Sequence, residues 1–247
     1  MRIPRIFVNQ TLPIDAAPGL PISIVGQAAN HIGKVLRMGV GRQLKLFNGQ
    51  HSGHFLATIQ SVDKKSVIAN IDSYLPSQLE SPLSIHLGQA ISKGDRMDFT
   101  IQKSVELGVA SITPLWVERC DVKLSGDRLE KKVNHWQQVA VSACEQCGRD
   151  IVPKIRTPQN LHQWLTDTIS DINWVLDPRG HKQPDADKSS PKSASLLIGP
   201  EGGLSEGEIA LAINAGFEGK LIGPRVLRTE TAALTAVTML QHQWGDF

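Results

Sequence analysis

The 247-residue sequence predicts an α/β protein in two parts, a small β-barrel followed by an α/β domain built on a parallel sheet. Three observations carry that reading. Residues 1–75 hold β-prone runs at short intervals, with one helical stretch among them. From residue 83 onward, short apolar runs alternate with longer amphipathic stretches, the pattern of parallel strands joined by helices. Between the two lies PSQLESP (76–82), which has two prolines, two serines and no periodicity and reads as a linker.

In the first part the strands are RIFV (5–8), LPISIV (20–25), QLKLFN (43–48), HFLATIQSV (54–62) and SVIANI (66–71), separated by Gly, Pro, Asn or Lys pairs. AANHIGKVLR (28–37) is helical, because Ile32, Val35 and Leu36 fall on one face. In the second part LSIHLGQAI (83–91), SITPLWV (111–117), NWVLD (173–177), SLLIG (195–199) and GKLIG (219–223) are buried-strand candidates. The helices between and after them are 95–108, 127–147, 205–216 and 229–244. HKQPDADKSSPKSAS (181–195) is polar and almost free of apolar residues, so it is expected as a mobile surface loop.

The net charge is only +2, which argues against a polyanion partner until it is divided along the chain. Residues 1–80 carry eight basic and four acidic side chains, residues 81–160 eleven and nine, and residues 161–247 seven and eleven. The basic excess therefore sits at the N-terminal end, where a polyanion would bind. No apolar run nears the roughly 18 residues of a membrane span, and MRIPRIFV lacks a secretory core. Three cysteines in a chain long enough to bury its own core point to a reducing cytoplasm.

Cys144 and Cys147 form a CxxC, but no second CxxC or His pair follows to complete a zinc site. The pair also closes a helical stretch, whereas a redox motif opens one. We read it as two helix residues and expect no metal. GxSxG, the phosphate-binding P-loop and GxGxxG are all absent. Two other glycine clusters stand out. In LLIGPEGGLSEGEI (196–209) a strand enters a Gly-rich turn, and Ser205 with Glu208 then forms a capping box. In KLIGPRVLRTETAALTA (220–236) a strand again ends in Gly-Pro before a helix. VLDPRG (175–180) is a weaker third case. Several such turns at strand ends point to one shared ligand pocket, because open α/β sheets bind ligands beyond the carboxyl ends of their strands.

IGPEGGLSEGEI (198–209) followed by LIGPRVLRTETAALTA (221–236) resembles the knotted SPOUT methyltransferases, above all the RsmE-type enzymes that methylate uracil N3 in small-subunit (16S) ribosomal RNA. HIGKVLRMGVGRQLKLFNG (31–49) resembles that family's PUA-like RNA-binding domain. KGDRMDFTIQKSVELGVASITPLWVERC (93–120) and ACEQCGR (143–149) resemble its methyltransferase domain. Cys120 and Cys147 depart from the pattern, which has Ser at both places. The resemblance implies a PUA-like β-barrel over 1–75, a linker over 76–82, and a SPOUT α/β-knot methyltransferase domain over 83–247 with a deep trefoil knot. It implies a homodimer that binds S-adenosylmethionine in the knot loops, with the C-terminal helix at the interface; Ala232, Ala233, Ala236 and Val237 offer that helix a small-residue face.

Carried onto this sequence, the resemblance places Leu176, Ile198, Ile222, Leu227 and Ala232 at the cofactor as apolar walls. Gly199, Gly202, Gly203 and Gly223 would let backbone approach it, with Pro200, Glu201, Arg228 and Thr231 alongside. For catalysis, Arg228 is expected to give electrostatic support, and Glu201 or Glu230 to orient the acceptor or take its proton. An Arg–Glu pair that merely holds the loops together is the competing reading. Arg5, His31, Lys34, Arg37, Arg42 and Lys45 are expected at RNA, with Lys103, Arg119 and Arg149 extending the track. Two further functions stay open at this point: a SPOUT enzyme acting on another RNA atom, such as a ribose 2′-hydroxyl, and a non-catalytic ribosome-assembly factor.

Overall fold

The computed structural model describes residues 3–122, 124–168, 170–181 and 190–247. Two compact units emerge, Met1–Glu80 with Cys144–Val152, and Ser81–Ala143 with Pro153–Phe247.

The first unit contains a five-stranded sheet of β1 (Arg5–Phe7), β2 (Pro21–Val25), β3 (Gln43–Phe47), β4 (Gly53–Val62) and β5 (Ser66–Pro76). The strand order is β1-β3-β4-β5-β2, with β1 parallel to β3 and the other pairs antiparallel. Alternation in the sequence puts Ile22, Ile24, Leu44, Leu46, Phe55, Ala57, Ile59, Val67 and Ala69 into one core. The expected helix over 28–37 begins and ends two residues earlier. It runs as α1 (Gly26–Asn30) and widens into a π-helical turn over His31–Val35, in which the Leu36 N–H reaches the His31 carbonyl. Arg37 then takes a left-handed φ of 49°, which ends it.

The segment Cys144–Val152 joins this unit through buried polar contacts. Arg5 donates to the Asp150 carboxylate at 2.7 Å and to the Arg149 carbonyl at 2.9 Å, and lies over the Phe47 ring at 4.7 Å. Arg149 pairs with Glu80 at 2.6 Å, and the Phe7 N–H donates to Glu145 at 3.0 Å. Burial of the Cys144 thiol pushes its pKa up to about 12, so it stays protonated and inert.

The second unit contains a parallel sheet of β6 (Ser84–Ala90), β7 (Ser111–Trp116), β8 (Lys154–Ile155), β9 (Gln159–Asn160), β10 (Ile172–His181), β11 (Ser193–Ile198) and β12 (Glu218–Lys220). The order is β12-β10-β11-β6-β7-β8, with β9 also on β7. The helices are α2 (Arg96–Glu106), α3 (Gly126–Cys147), α4 (Leu161–Asp167), α5 (Glu206–Asn214) and α6 (Thr229–Trp244). In sequence, β8, β9 and α4 were too short to show a period. Trp164 of α4 sits over Gly88 of β6, where any Cβ would come within 2.6 Å of its ring. Asp98 ties α2 to α3 by accepting from Lys132, His135 and the Trp136 indole.

Four sequence expectations change here. The strand expected over 219–223 stops at Lys220, and Leu221–Gly223 turn into the loop beyond it. VLDPRG is not a strand end, since β10 runs on to His181 with a register shift after Leu176. Of the loop expected over 181–195, residues 182–189 lie outside the described residues, and 193–195 already belong to β11. The small-residue face of α6 is also spent: Ala233, Ala236 and Val237 are fully buried in the core of their own unit, where α6 packs on α2 and β11. No helix among the described residues is long and apolar enough to cross a membrane.

Candidate active site

β10, β11 and β12 lead into a cavity of about 870 Å³, lined largely by the two Gly-Pro loops that follow β11 and β12. This is the place where parallel sheets take ligands, and the volume suits a cofactor-sized molecule. Leu176 and Asp177 of β10 line it, as do Thr229 and Ala232 of α6 and Arg96 of α2.

Local sequence shapes the first loop. The Gly203 N–H donates to the Pro200 carbonyl at 2.9 Å, a turn that needs the left-handed φ of 69° at Gly203. The expected capping box then starts α5: Ser205 Oγ accepts from the Glu208 N–H, and Glu208 accepts from the Ser205 N–H at 2.9 Å. The second Glu208 oxygen accepts from the Glu118 N–H at 2.7 Å, which anchors the loop start to the chain after β7. Gly199 is tightly confined, since a Cβ there would lie 3.0 Å from the Leu204 nitrogen and 3.1 Å from its Cγ. Gly202 is less confined, because its Cβ would meet only the Arg119 side chain at 3.3 Å; Gly223 opens onto free space.

The wall carries Arg96, Arg119, Lys220, Arg225 and Arg228 against Asp177, Glu201 and Glu206. Glu201 pairs with Arg96 at 2.7 Å and accepts from the Lys93 N–H at 3.3 Å. Burial pushes the Glu201 carboxyl up, but hydrogen bonds from its own backbone N–H, from Arg96 and from the Lys93 N–H outweigh that and hold it below its ordinary pKa. It is therefore an ionised acceptor near neutral pH. Arg119 donates to the Gly202 carbonyl at 2.9 Å. Among the described residues no hydrogen bond or ion pair engages the exposed side chains of Arg225 or Arg228.

The cavity gathers Leu176, Ile198, Gly199, Pro200, Glu201, Gly202, Gly203, Ile222, Gly223, Leu227, Arg228 and Ala232, twelve of the positions expected at the cofactor. Thr231 is absent from the wall and lies exposed on α6. Glu230 is absent too, and its Oε2 is buried without a partner. Neither touches the cavity because both sit on other faces of the first turn of α6. Sequence reasoning missed Arg96, Asp177, Arg225 and Thr229. Arg96 lies far from the motifs in sequence, whereas Asp177 had a signal inside VLDPRG and Arg225 and Thr229 had one inside the second motif.

Several expected RNA contacts change as well. Arg5 and Arg149 are committed to buried ion pairs, with side chains only 7% and 8% exposed, so no phosphate can reach them. Lys103 is paired with Glu106 at 2.8 Å. Lys34, Arg37 and Arg42 are exposed, and His31 and Lys45 are half-buried. Among the described residues no three His, Cys, Asp or Glu side chains converge as a metal site requires.

The sequence matches the family model of the RNA methyltransferase domain over residues 79–241 and that of the RNA methyltransferase PUA domain over residues 25–72. It is 37% identical to ribosomal RNA small subunit methyltransferase E of Buchnera aphidicola, covering 100% of this chain and 96% of the relative. With the Bacillus subtilis protein of the same name it shares 32%, covering 97% and 96%. The fold superposes on a Legionella pneumophila methyltransferase solved with its bound cofactor SAM, at a TM-score of 0.93 and 45% identity over the whole of both chains. It also superposes on ribosomal RNA small subunit methyltransferase E of Neisseria gonorrhoeae bound to S-adenosyl methionine, at a TM-score of 0.90 and 36% identity, again over both whole chains. Matched by both family models and alike over nearly its whole length to relatives at more than 30% identity, the chain belongs to the RNA methyltransferase family of ribosomal RNA small subunit methyltransferase E.

Proposed function

We propose that this protein methylates N3 of a specific uridine in 16S ribosomal RNA of the small ribosomal subunit, using S-adenosylmethionine, in the cytoplasm and as a knotted homodimer. The observation that carries the reading is the cavity where both Gly-Pro loops meet at the end of the parallel sheet. Its chemistry suits the cofactor. Leu176, Ile198, Ile222 and Leu227 supply apolar wall, and the glycine loops bare backbone for hydrogen bonds.

S-adenosylmethionine, when bound, supplies an electrophilic methyl group on a sulfonium. The protein's own residues do the rest. Uracil N3 is protonated near neutral pH and a poor nucleophile, so orientation and charge stabilisation are what the site must provide. Positioning alone can supply about 7–11 kcal/mol when the reacting atoms are well aligned. Arg228, exposed beside the cavity and without a partner among the described residues, is the group free to stabilise negative charge developing on the uracil carbonyls. Glu201, ionised and steadied by Arg96, is an acceptor for the imide N–H. Arg225 beside the cavity, with Lys34, Arg37 and Arg42 in the first unit, contributes phosphate contacts.

The test has two stages. S-adenosylmethionine at 100 times its Kd should stabilise the protein by about 2.7 kcal/mol, read as a rise in Tm; no rise would sink the cofactor assignment. Mass spectrometry of small-subunit RNA from a deletion strain, treated with the purified protein, should then show one new N3-methyluridine. A ribose methyl would replace the proposed acceptor atom, and no methyl at all would leave an assembly factor.

A further inference from the structure

Gln89 is fully buried in β6, between β11 and β7, where it sits beside Ile198 and Pro114. A primary amide in the middle of a parallel sheet is costly unless it is hydrogen-bonded. Its place in SIHLGQA would suit an aliphatic residue, so the amide needs a reason. Its nitrogen donates to the Ala90 carbonyl at 3.1 Å and to Thr229 Oγ1 at 2.9 Å. The Ala90 carbonyl can only accept, which fixes the nitrogen end of the amide on that side.

A directional chain follows. A threonine hydroxyl has one proton. Thr229 Oγ1 accepts from Gln89, so its own proton goes to the Gly199 carbonyl, 2.7 Å away. Thr229 is the first residue of α6, and Gly199 is the first residue of the loop after β11. Both line the cavity, and Gln89 does not. Holding the Gly199 carbonyl fixes the plane of the peptide that leads into Pro200. The same link ties the start of α6 to that loop, although 30 residues separate them in sequence.

We propose that Gln89 is a positioning residue for methyl transfer: acting through Thr229, it locks the two Gly-Pro loops in the spacing that accepts the cofactor. The inference rests on the cavity being the S-adenosylmethionine site. Gln89→Leu keeps roughly the side-chain volume and removes the donor that holds Thr229 Oγ1 in place. Thr229→Val breaks the link from the other end, and Thr229→Ser keeps the hydroxyl.

The experiment is calorimetric titration of each purified full-length variant with S-adenosylmethionine, alongside its Tm. Gln89→Leu and Thr229→Val should each weaken binding about tenfold, the order expected for one lost hydrogen bond, with Tm lowered by no more than several degrees, most in Thr229→Val, which strands the buried Gln89 donor. Thr229→Ser should recover most of what Thr229→Val loses. Wild-type affinity in both Gln89→Leu and Thr229→Val would overturn the proposal. If Gln89→Leu does not fold, Gln89→Met, of similar volume and likewise without an amide donor, takes its place, and wild-type affinity in it would also overturn the proposal. A wild-type protein that takes up no cofactor would instead overturn the function proposed for the cavity, and the inference with it.

Discussion

Replacing Asp150 with alanine should loosen the first unit and leave the second standing. Asp150 is fully buried and faces Arg5, whose side chain is only 7% exposed, at 2.7 Å. Removing one partner of a buried pair typically costs about 3–5 kcal/mol, because the other charge is left uncompensated. Arg5 would keep the Arg149 carbonyl and the face of Phe47, so the lower end, about 3 kcal/mol, is expected. With a urea slope of about 2 kcal/mol per molar, that moves the midpoint down by about 1.5 M. The double variant Arg5→Met, Asp150→Leu removes both charges and should recover most of the loss, since apolar replacements of buried pairs are often neutral. All five tryptophans lie between residues 116 and 244. Urea unfolding followed by far-UV circular dichroism should therefore show the shift, and tryptophan fluorescence should not. An unchanged dichroism midpoint for Asp150→Ala, or a double variant weaker than the single, would refute the reasoning.

Gly199→Ala should weaken S-adenosylmethionine at least tenfold by calorimetry, because its Cβ would crowd the Leu204 nitrogen at 3.0 Å and shift the loop; unchanged affinity would show that the loop has slack. Charge reversal of Arg225 and Arg228 together should lower RNA affinity and flatten its salt dependence, by about 0.7–0.9 in slope per lost phosphate contact, in filter binding across a salt series. His86 is held below its ordinary pKa of 6.5, first by burial and then by Arg156. The unfolded chain then binds a proton that the folded state refuses, so stability is intact above about pH 6.5 and falls as the pH drops below it. In His86→Asn the difference in urea midpoint between pH 7.5 and 5.5 should shrink; an unchanged difference would assign it elsewhere.

Much of the fold was legible in the sequence because it rests on short-range pattern. Alternation in PISIV and the helical period of 229–244 gave β2 and α6 within a residue. The capping box of Ser205 and Glu208 was readable because its geometry is local. The glycine loops marked the cavity for the same reason, since Gly-Pro at a strand end is a local signal with a spatial meaning.

What the sequence could not decide is which distant groups meet. Arg5 and Arg149 look like solvent-facing cations until folding brings Asp150 and Glu80 to them, which removes both from any RNA surface. Sequence left open whether Glu201 or Glu230 joins an Arg–Glu pair; the packing of α2 delivers Arg96 to Glu201. Residues 144–152 belong to the first unit although more than sixty residues separate them from Glu80, because buried ion pairs and not chain order hold them there. Gln89 is one polar letter in an apolar strand; only the tertiary structure shows that its amide faces Thr229, 140 residues away, and through it Gly199. Local periodicity and turn chemistry determine the elements and name the loops. Pairing of charges and donors across the fold decides which of those residues remain free to act.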